Sequence, residues 1–412
     1  MPRFHLPDHL KQVRLAWRNI ARQRRRTALA LITVSGGIVA FLLSGGFIAW
    51  VLNGMAETTI HSQLGHLQIT RPGYFEAGLR DPYKHLLPPT VPASVDRLEG
   101  LVTVSPRLAF SGLLSKGDET VSFIGEGVAP ETERPISRSI NIVQGEELSG
   151  SGAREVLLGV GLAANLGASP GDTVVLLAST ADGGINAVEL TVAGIFATIS
   201  KAYDDVVLRA PIRIARELMR VDGSTTWVVL LERTTQTAAA EHQLQRLLPD
   251  SEYQVTPWTA LADFYNKTVE LFTKQVDIVK IIIGLIVVLS ISNTLSMAVI
   301  ERTGEIGTLM AIGLKRRGIL AEFLLEGALL GIIGGMAGVV LGFVLGQVIS
   351  AIGIPMPPPP GMAQGYLGEI SISPSLAFDA ITLAFLTTLA ASIFPAWKAS
   401  RMTIVDALRQ QK

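Results

Sequence analysis

Four long apolar runs, separated by polar segments, dominate the hydrophobic pattern of the chain. The runs occupy residues 27–54, 281–300, 318–350 and 376–397. About 20 apolar residues, rising 1.5 Å each in a helix, span the roughly 30 Å hydrocarbon core of a bilayer. The pattern therefore predicts an α-helical membrane protein with four transmembrane helices.

Between the first and second runs, residues 57–257 have the pattern of a mixed α/β domain inserted between two membrane helices. Short runs rich in β-branched residues alternate with turn signals such as Pro170-Gly171 and Asp182-Gly183. The less regular segment 125–150 predicts a division into two subdomains. Strands are predicted at 66–70, 101–104, 121–124, 173–177, 188–195 and 227–231, and helices at 161–166, 212–219 and 235–248.

Residues 258–280 predict a stalk helix that continues without a break into the second membrane helix. Neither Pro nor Gly occurs in 258–283, and five apolar residues repeat at coiled-coil spacing: Tyr265, Val269, Phe272, Val276 and Val279. Stalk and span together would form a rod of about 40 residues, or roughly 60 Å. Such a rod could transmit displacement, although an ordinary linker helix would show the same pattern.

The polar segment 301–317, with the sequence ERTGEIGTLMAIGLKRR, is a tight connection between the second and third membrane helices. It mixes both charge signs with Ile306, Leu309, Met310 and Ile312. A connection that served only solubility would not need these apolar residues. They predict a short amphipathic helix that lies at the membrane surface against another part of a protein.

Lys and Arg cluster at the ends of the chain and in this connection. Eight lie in residues 1–26, four in 301–317 and four in 398–412, whereas the Pro-rich loop 351–375 contains none. Because basic residues favour the cytoplasmic side, both termini and the connection are predicted to be cytoplasmic. Residues 1–26 predict an amphipathic helix that either anchors the first span or docks a partner. Pro357–Pro360 predicts an extended loop segment, and Thr403 begins a predicted last helix in the cytoplasmic tail.

The third apolar run contains glycines at four-residue intervals, namely Gly334, Gly338, Gly342 and Gly346. Rows of small residues mark a face where another membrane helix comes close. We expect this face to pack against the first span, with a seam between two copies of the chain as the alternative. Glu326 in the same run either faces protein or water, or reaches back to the lipid headgroups.

The sequence lacks the motifs of a catalytic or metal site. It contains no Walker A motif, no H-E-x-x-H, no G-x-S-x-G and no Cys, and its six His residues show no ligand spacing. With 35 basic and 35 acidic residues the net charge is zero, which gives no indication of nucleic-acid binding. We therefore expect a non-enzymatic chain that binds no cofactor and no metal itself.

The connection and its flanks resemble the signature of the MacB/FtsX-type permeases, the membrane subunits of type VII ABC transporters. The similarity extends to the opening 15–27, to Pro395-Ala396 and to the tail around Asp406. Stretches such as 65–69 and 157–172 are most similar to the lipoprotein-releasing, Lol-type permeases. The motif residues in the connection and beyond it are Glu301, Arg302, Glu305, Ile306, Gly307, Ala311, Ile312, Gly313, Glu326 and Gly327.

The resemblance implies a dimer, formed with a second copy or a related subunit, in the bacterial inner membrane with a large periplasmic domain. It further implies a cytoplasmic ABC ATPase dimer that binds ATP and Mg²⁺ and grips the motif residues of 301–317. The substrate would be a lipid or lipoprotein taken from the membrane. Alternatives are a MacB-like efflux driver with an adaptor and an outer-membrane channel, or an FtsX-like regulator of a periplasmic hydrolase. Residues expected to contact a lipid substrate are Phe41, Phe47, Trp50, Phe264 and Phe272.

Overall fold

The computed structural model describes residues 18, 22, 24–77, 81–198, 200–356 and 366–402. They divide into two compact units. A helical unit contains the described residues up to Leu52, Val269–Pro355 and those from Leu367 onward. An α/β unit contains the described residues of Asn53–Thr268 together with Met356 and Tyr366. Most of the predicted N-terminal helix 8–26, the segment Pro357–Pro360 and the tail helix from Thr403 lie outside the described residues.

The elements follow one another in an order that places nearly all strands between the first two long helices. The helices are α1 (Arg24–Thr59), α2 (Tyr74–Ala77), α3 (Pro130–Glu133), α4 (Val160–Leu166), α5 (Lys201–Asp204), α6 (Ile212–Met219), α7 (Thr237–Leu247), α8 (Trp258–Leu261), α9 (Asp263–Glu301), α10 (Thr303–Ala311), α11 (Arg316–Ile352) and α12 (Pro374–Ser400). The strands are β1 (Leu67–Thr70), β2 (Leu101–Lys116), β3 (Glu119–Val128), β4 (Asn141–Gly145), β5 (Glu155–Gly159), β6 (Thr173–Ser179), β7 (Ile185–Ala197), β8 (Val207–Pro211), β9 (Thr226–Leu231), β10 (Gln254–Pro257), β11 (Ile354–Met356) and β12 (Tyr366–Gly368).

Four helices of the described chain, α1, α9, α11 and α12, are long and apolar enough to cross a membrane. Each contains one of the four predicted runs. Within the helical unit they pack around a shared apolar core that includes Ile38, Ile291, Leu330 and Ala384. The predicted fold class, four membrane helices with an α/β domain inserted after the first, is confirmed.

The glycine row of α11 lies mainly against α1. A Cβ atom placed at Gly338 would come within 2.7 Å of the Ile38 Cβ, and one at Gly334 within 2.8 Å of Val34. Gly342 faces Leu42 in the same way, at 2.9 Å. Because any side chain would overlap α1, only glycine allows this close approach.

The helix α1 contributes branched and long side chains to this contact, and those of its glycines that have a close neighbour face other segments. Gly37 faces Ile283 of α9, at 3.0 Å from a Cβ placed on the glycine. Gly346, the last residue of the α11 row, faces Ile370 and Ile372 and not α1. A second row on α11 at Gly327, Gly331 and Gly335 packs against α12. The two faces of α11 thus bring both neighbouring helices close.

The predicted unbroken helix from residue 258 is wrong at its start. Ala262 leaves the helical conformation (φ −90°, ψ 62°), so that α8 ends at Leu261 and α9 begins at Asp263. Ala262 is buried beside Trp258 in a small apolar cluster, and this packing determines the local turn. From Asp263 to Glu301 the helix is continuous for 39 residues.

The α/β unit is organised on one sheet with the order β10-β1-β9-β2-β3-β8-β5-β7-β4, in which β6 pairs with β2 and β7. One apolar core lies under β5–β8 with α4 and α6, and a second lies under β1 and β9 with α7. The 16-residue strand β2 is hydrogen-bonded to β9 in its first half and to β3 and β6 in its second.

Segment 125–150 contains strands of the common sheet, and the predicted division into two subdomains stays a prediction. Strand β3 extends to Val128 and pairs with β8, and β4 within this segment pairs with β7. Both strands therefore belong to the same sheet. Their exposed or glycine-rich sequences do not look like strands, but their backbones are hydrogen-bonded to strands distant in the sequence. The sequence pattern also missed β5, β8 and β10, which are only four or five residues long.

Candidate functional site

The connection between α9 and α11 folds as the predicted short helix, held between two sharp changes of direction. Arg302 leaves the helical conformation after Glu301, and α10 then runs for nine residues from Thr303. Gly313 has a φ of +102°, a conformation that side chains other than glycine rarely adopt. These two positions set the direction of α10 relative to α9 and α11.

One face of α10 is packed against the long helices. Ile306 is 3% exposed and contacts an apolar cluster formed by Ile319 and Phe323 of α11 with Ala396 and Ala399 of α12. This cluster explains why apolar residues occur among the charges of 301–317. The helix is attached to the helical unit and does not lie free at its surface.

Arg302 ties the start of α10 to α11 through buried charge. Its guanidinium lies 2.9 Å from a Glu326 carboxylate oxygen, 3.2 Å from Glu322 and 3.4 Å from Glu305. Burial opposes the positive charge, but the carboxylates of Glu326 and Glu322 outweigh it and raise the pKa of Arg302 above its ordinary value. Glu326 therefore faces protein, which decides between the two alternatives for this residue.

The eight predicted coupling residues fall into two groups. Arg302, Ile306 and Gly307 are buried within the helical unit, and their predicted role in coupling to an ATPase stays a prediction. In a helix of 3.6 residues per turn only one face is free, and these residues occupy the other. The five exposed residues are Glu301, Glu305, Ala311, Ile312 and Gly313.

The free side of the connection presents an apolar surface beside positive charge. Ile312 is 79% exposed, and Leu309 and Leu314 are exposed as well. Residues 315–317, a Lys and two Arg, follow directly and are also exposed. We call residues 309–317 the exposed tip. An apolar group with a basic rim is typical of a protein interaction site.

Two arginines near the N-terminus contact the acidic residues of the connection, which the sequence did not predict. Arg22 donates to Glu305 at 2.6 Å, and Arg26 pairs with Glu301. The Arg22 guanidinium holds the pKa of Glu305 below its usual value. The sequence shows arginines at four-residue spacing, Arg14, Arg18 and Arg22, but it does not show that Glu305 would pair with one of them.

The residues predicted to contact a lipid substrate differ in how far they are exposed. Phe41 is 1% exposed in the core of the helical unit, where the Lys280 ammonium lies 5.8 Å from its ring centre. The Phe41 ring thus packs inside the bundle, and its predicted contact with a lipid substrate stays a prediction. Phe47 and Trp50 are half-buried and stack with ring centres 6.5 Å apart. Phe272 is half-buried on α9, and Phe264 is 73% exposed.

In the α/β unit, polar residues at the end of α1 line a cleft of 440 Å³ that includes Glu57, His61, His66 and Arg138. The His66 Nδ1 accepts from the Leu231 amide at 3.1 Å, so its Nε2–H donates to the Thr234 hydroxyl. Burial, aided by His61, lowers the pKa of His66 to about 4. Within the described part of the chain, no three His, Asp or Glu side chains are arranged to hold a metal ion.

Two family models match the chain. The MacB-like periplasmic core domain matches residues 27–247, more than half of the 412 residues, and the FtsX-like permease C-terminal domain matches residues 278–404. The boundary between the two matches falls close to the predicted stalk. The connection, α11 and α12 thus lie in the FtsX-like part, and all strands of the large sheet except β10 lie in the MacB-like part.

Proteins named for lipoprotein release and proteins named for macrolide export are both similar to this chain. The lipoprotein-releasing system transmembrane protein LolC of Neisseria meningitidis is 26% identical over 249 residues, which cover 56% of this chain and 57% of LolC. The macrolide export ATP-binding/permease protein MacB of Rhodospirillum rubrum is 27% identical, with 96% of this chain and 60% of MacB covered. An uncharacterised ABC transporter permease of Methanocaldococcus jannaschii is 25% identical, with 96% and 97% covered.

This chain spans little more than half of the length of the LolC and MacB proteins. The periplasmic region of MacB from Actinobacillus actinomycetemcomitans is a similar solved structure, at 13% identity and a TM-score of 0.36, covering 53% of this chain and 97% of that one. The family assignment rests on the two family models. This chain belongs to the MacB/LolC/FtsX type of ABC transporter permeases, with a MacB-like periplasmic core domain followed by an FtsX-like permease domain.

Proposed function

We propose that this chain is the membrane permease subunit of an ABC transporter whose ATP and Mg²⁺ are bound by a separate ATPase dimer. The observation that carries the proposal is the connection helix α10, which is anchored on one face and exposed at its tip. Residues 1–412 contain no phosphate-binding motif, and we therefore assign nucleotide hydrolysis to a partner.

The geometry of α10 suits a force-receiving element. An ATPase that binds the exposed tip around Ile312 would pull or push on a helix that Arg302 ties to α11 and Ile306 ties to α11 and α12. The buried motif residues therefore act as an anchor, and the exposed ones provide the docking surface. Force applied at the tip would reach the membrane helices directly.

For the substrate, we propose a lipid-anchored protein or a lipid taken from the outer leaflet of the bacterial inner membrane. The similarity to LolC, whose name states lipoprotein release, supports this choice. The stacked pair Phe47 and Trp50 supplies partly exposed aromatic surface near the end of the first predicted span. The chain would act as a dimer, with both termini in the cytoplasm and the α/β unit in the periplasm.

A second candidate function is efflux. The MacB relatives are named macrolide exporters, and their similarity extends over 96% of this chain. In that case the α/β unit would act on an adaptor and an outer-membrane channel. Co-purification of the chain with such an adaptor, without capture of acylated molecules, would favour efflux over lipoprotein release.

Docking can be tested with a matched pair of variants. Ile312→Asp places a charge on the exposed tip, and Ile185→Asp places one at an equally exposed isoleucine (78% against 79%) in the α/β unit. We expect Ile312→Asp to lose at least 90% of the ATPase that co-purifies in mild detergent, and Ile185→Asp to retain it. Equal retention in both variants would refute docking at this tip.

The substrate can be tested with a photocrosslinking residue at position 47, and with the same residue at position 185 as the control. Cells labelled with a clickable fatty acid report acylated adducts. We expect acylated proteins or lipids to be captured at position 47 and not at 185. Capture of water-soluble proteins alone at position 47 would contradict lipoprotein or lipid extraction.

A further inference from the structure

The far end of helix α1 is held by the sheet of the α/β unit in an unusual way. After Thr59 the helix passes into a π-helical turn, Ile60–Leu64, which ends at Gly65 with a φ of +61°. The Gly65 amide closes this turn on the Ile60 carbonyl, so the carbonyls that follow have no partner within the helix. Here these are the carbonyls of residues 61–64.

Each of the four carbonyls accepts a hydrogen bond from outside the helix. The Ser139 amide donates to His61 at 3.0 Å. The Arg209 Nη2 donates to Ser62 at 3.0 Å, and the Arg107 Nη1 donates to Gln63. The Gln68 side-chain amide donates to Leu64 at 3.2 Å. The two charged donors suit the negative end of the helix dipole.

The two arginines are themselves held by carboxylates, the buried one of Glu133 and the half-buried one of Glu126. Arg107 and Glu133 form a two-pronged pair, with the closest oxygen at 2.5 Å and a second contact at 3.2 Å. Arg209 pairs with Glu126 at 2.9 Å and donates to the Ser137 hydroxyl at 2.7 Å. Arg107, Arg209 and Glu133 are 7% exposed or less. We call Arg107, Arg209 and Glu133 the arginine clamp.

The base of helix α9, the predicted stalk, is attached differently. Ala262 interrupts the helix there, and the described contacts are mainly apolar, such as the Trp258 and Tyr265 rings at 4.9 Å. A hydrogen bond from the Asn266 side chain to the Thr259 carbonyl at 2.7 Å bridges the interruption. Apolar contacts are non-directional, whereas hydrogen bonds from a guanidinium hold one geometry.

We propose that Arg107 and Arg209 are positioning residues that make the end of α1 and the sheet one rigid body. Under this proposal α1, and not the stalk α9, is the stiff link through which membrane movement reaches the α/β unit. The proposal rests on the proposed function, because it concerns how force from the ATPase is used. It differs from the expectation drawn from the sequence, which assigned that role to the stalk.

The chain contains no Cys, so two introduced cysteines are the only sites in it that a thiol-reactive label can modify. Asn53→Cys on α1 and Asp118→Cys in the turn between β2 and β3 are both exposed positions of the α/β unit. Spin labels at the two sites, in the full complex reconstituted in nanodiscs, report their separation by pulsed electron paramagnetic resonance. The proposal predicts one narrow distance distribution that stays the same with and without ATP.

The clamp variant replaces Arg107, Glu133 and Arg209 together by Met, because apolar replacement of a whole buried ion network often preserves the fold. The control replaces the exposed pair Arg154 and Glu217, 3.0 Å apart in the same unit, by Met. We expect the clamp variant to keep ATPase binding and hydrolysis, to broaden the distance distribution, and to lower ATP-driven substrate release at least tenfold. The control should match the native protein.

If the clamp variant does not fold, Arg209→Lys gives the same test, because lysine keeps the charge but loses the fork that reaches both Glu126 and Ser62. Native-like release by a folded clamp variant, or by Arg209→Lys with a narrow distribution, would overturn the proposal. A native distance that changes with ATP would also overturn it, because the end of α1 would then be a hinge. Failure of the proposed function is seen in a separate measurement. In that case the Ile312→Asp variant would co-purify with as much ATPase as the native chain.

Discussion

Replacing Arg302 by Met tests whether the connection helix is anchored by buried charge. The Arg302 side chain is 9% exposed, and those of its partners Glu326 and Glu322 are 6% and 13% exposed. Removing one partner of a buried ion pair typically costs about 3–5 kcal/mol, because the remaining charge keeps its desolvation cost. We therefore expect Arg302→Met to lower the free energy of unfolding by about 3–5 kcal/mol.

The matched control is Arg22→Met, which removes an arginine–glutamate pair from the surface of the same connection. The Arg22 and Glu305 side chains are 61% and 50% exposed, and exposed pairs contribute about 1 kcal/mol or less. Unfolding in mixed detergent micelles, followed by tryptophan fluorescence, measures both variants. The double variant Arg302→Met/Glu326→Leu should be more stable than Arg302→Met alone, because it also removes a buried carboxylate.

A result in which Arg302→Met costs no more than Arg22→Met would refute this reasoning. It would mean that the guanidinium does not offset the cost of burying the charges of Glu322 and Glu326. The ATPase assay adds a second measurement. If Arg302 anchors the helix and does not contact the ATPase, a folded Arg302→Met variant still binds the ATPase but couples hydrolysis to release poorly.

Two further predictions concern the packing of α11 and the histidine beside the cleft. Gly338→Ala should destabilise the helical unit by about 1–3 kcal/mol through overlap with Ile38. Gly36→Ala should be neutral or stabilising, because a Cβ there would meet no atom of the described residues within 4 Å apart from its own helix. Unfolding in micelles compares the two variants. The pKa of His66 is about 4 in the folded protein and about 6.5 when unfolded, so protons bind the unfolded state first as pH falls. Stability should therefore fall by up to about 3 kcal/mol between pH 6.5 and 4, and His66→Asn should remove that part of the pH dependence; an unchanged pH profile in this variant would show that His66 is not responsible.

Long, repetitive patterns were readable from the sequence. The four membrane helices follow from apolar length alone, and the glycine row at 334–342 predicted close helix packing because four-residue spacing defines one helix face. The short helix in 301–317 followed from apolar residues among charges. The direction of that helix did not follow, because periodicity states that one face is apolar but not which neighbour covers it.

Single charged residues were the least predictable. Arg302 and Glu326 are 24 positions apart, and Arg107 and Arg209 lie on strands more than 100 positions apart. In the sequence nothing identifies the partner of Arg302, Arg107 or Arg209, and for Glu326 burial against protein was only one of two alternatives. Their burial became visible only when the sheet and the helices brought opposite charges together.

The sequence by itself determined the number of membrane helices, the place of the inserted α/β domain and the position of the connection between the second and third spans. These depend on local properties, namely apolar length, turn residues and helical periodicity, which act within 10 to 30 neighbouring residues. The tertiary structure decided which motif residues are anchors and which are exposed, where the stalk is interrupted, and how α1 is bound to the sheet. Those outcomes depend on contacts between distant segments, whose energies no local pattern contains.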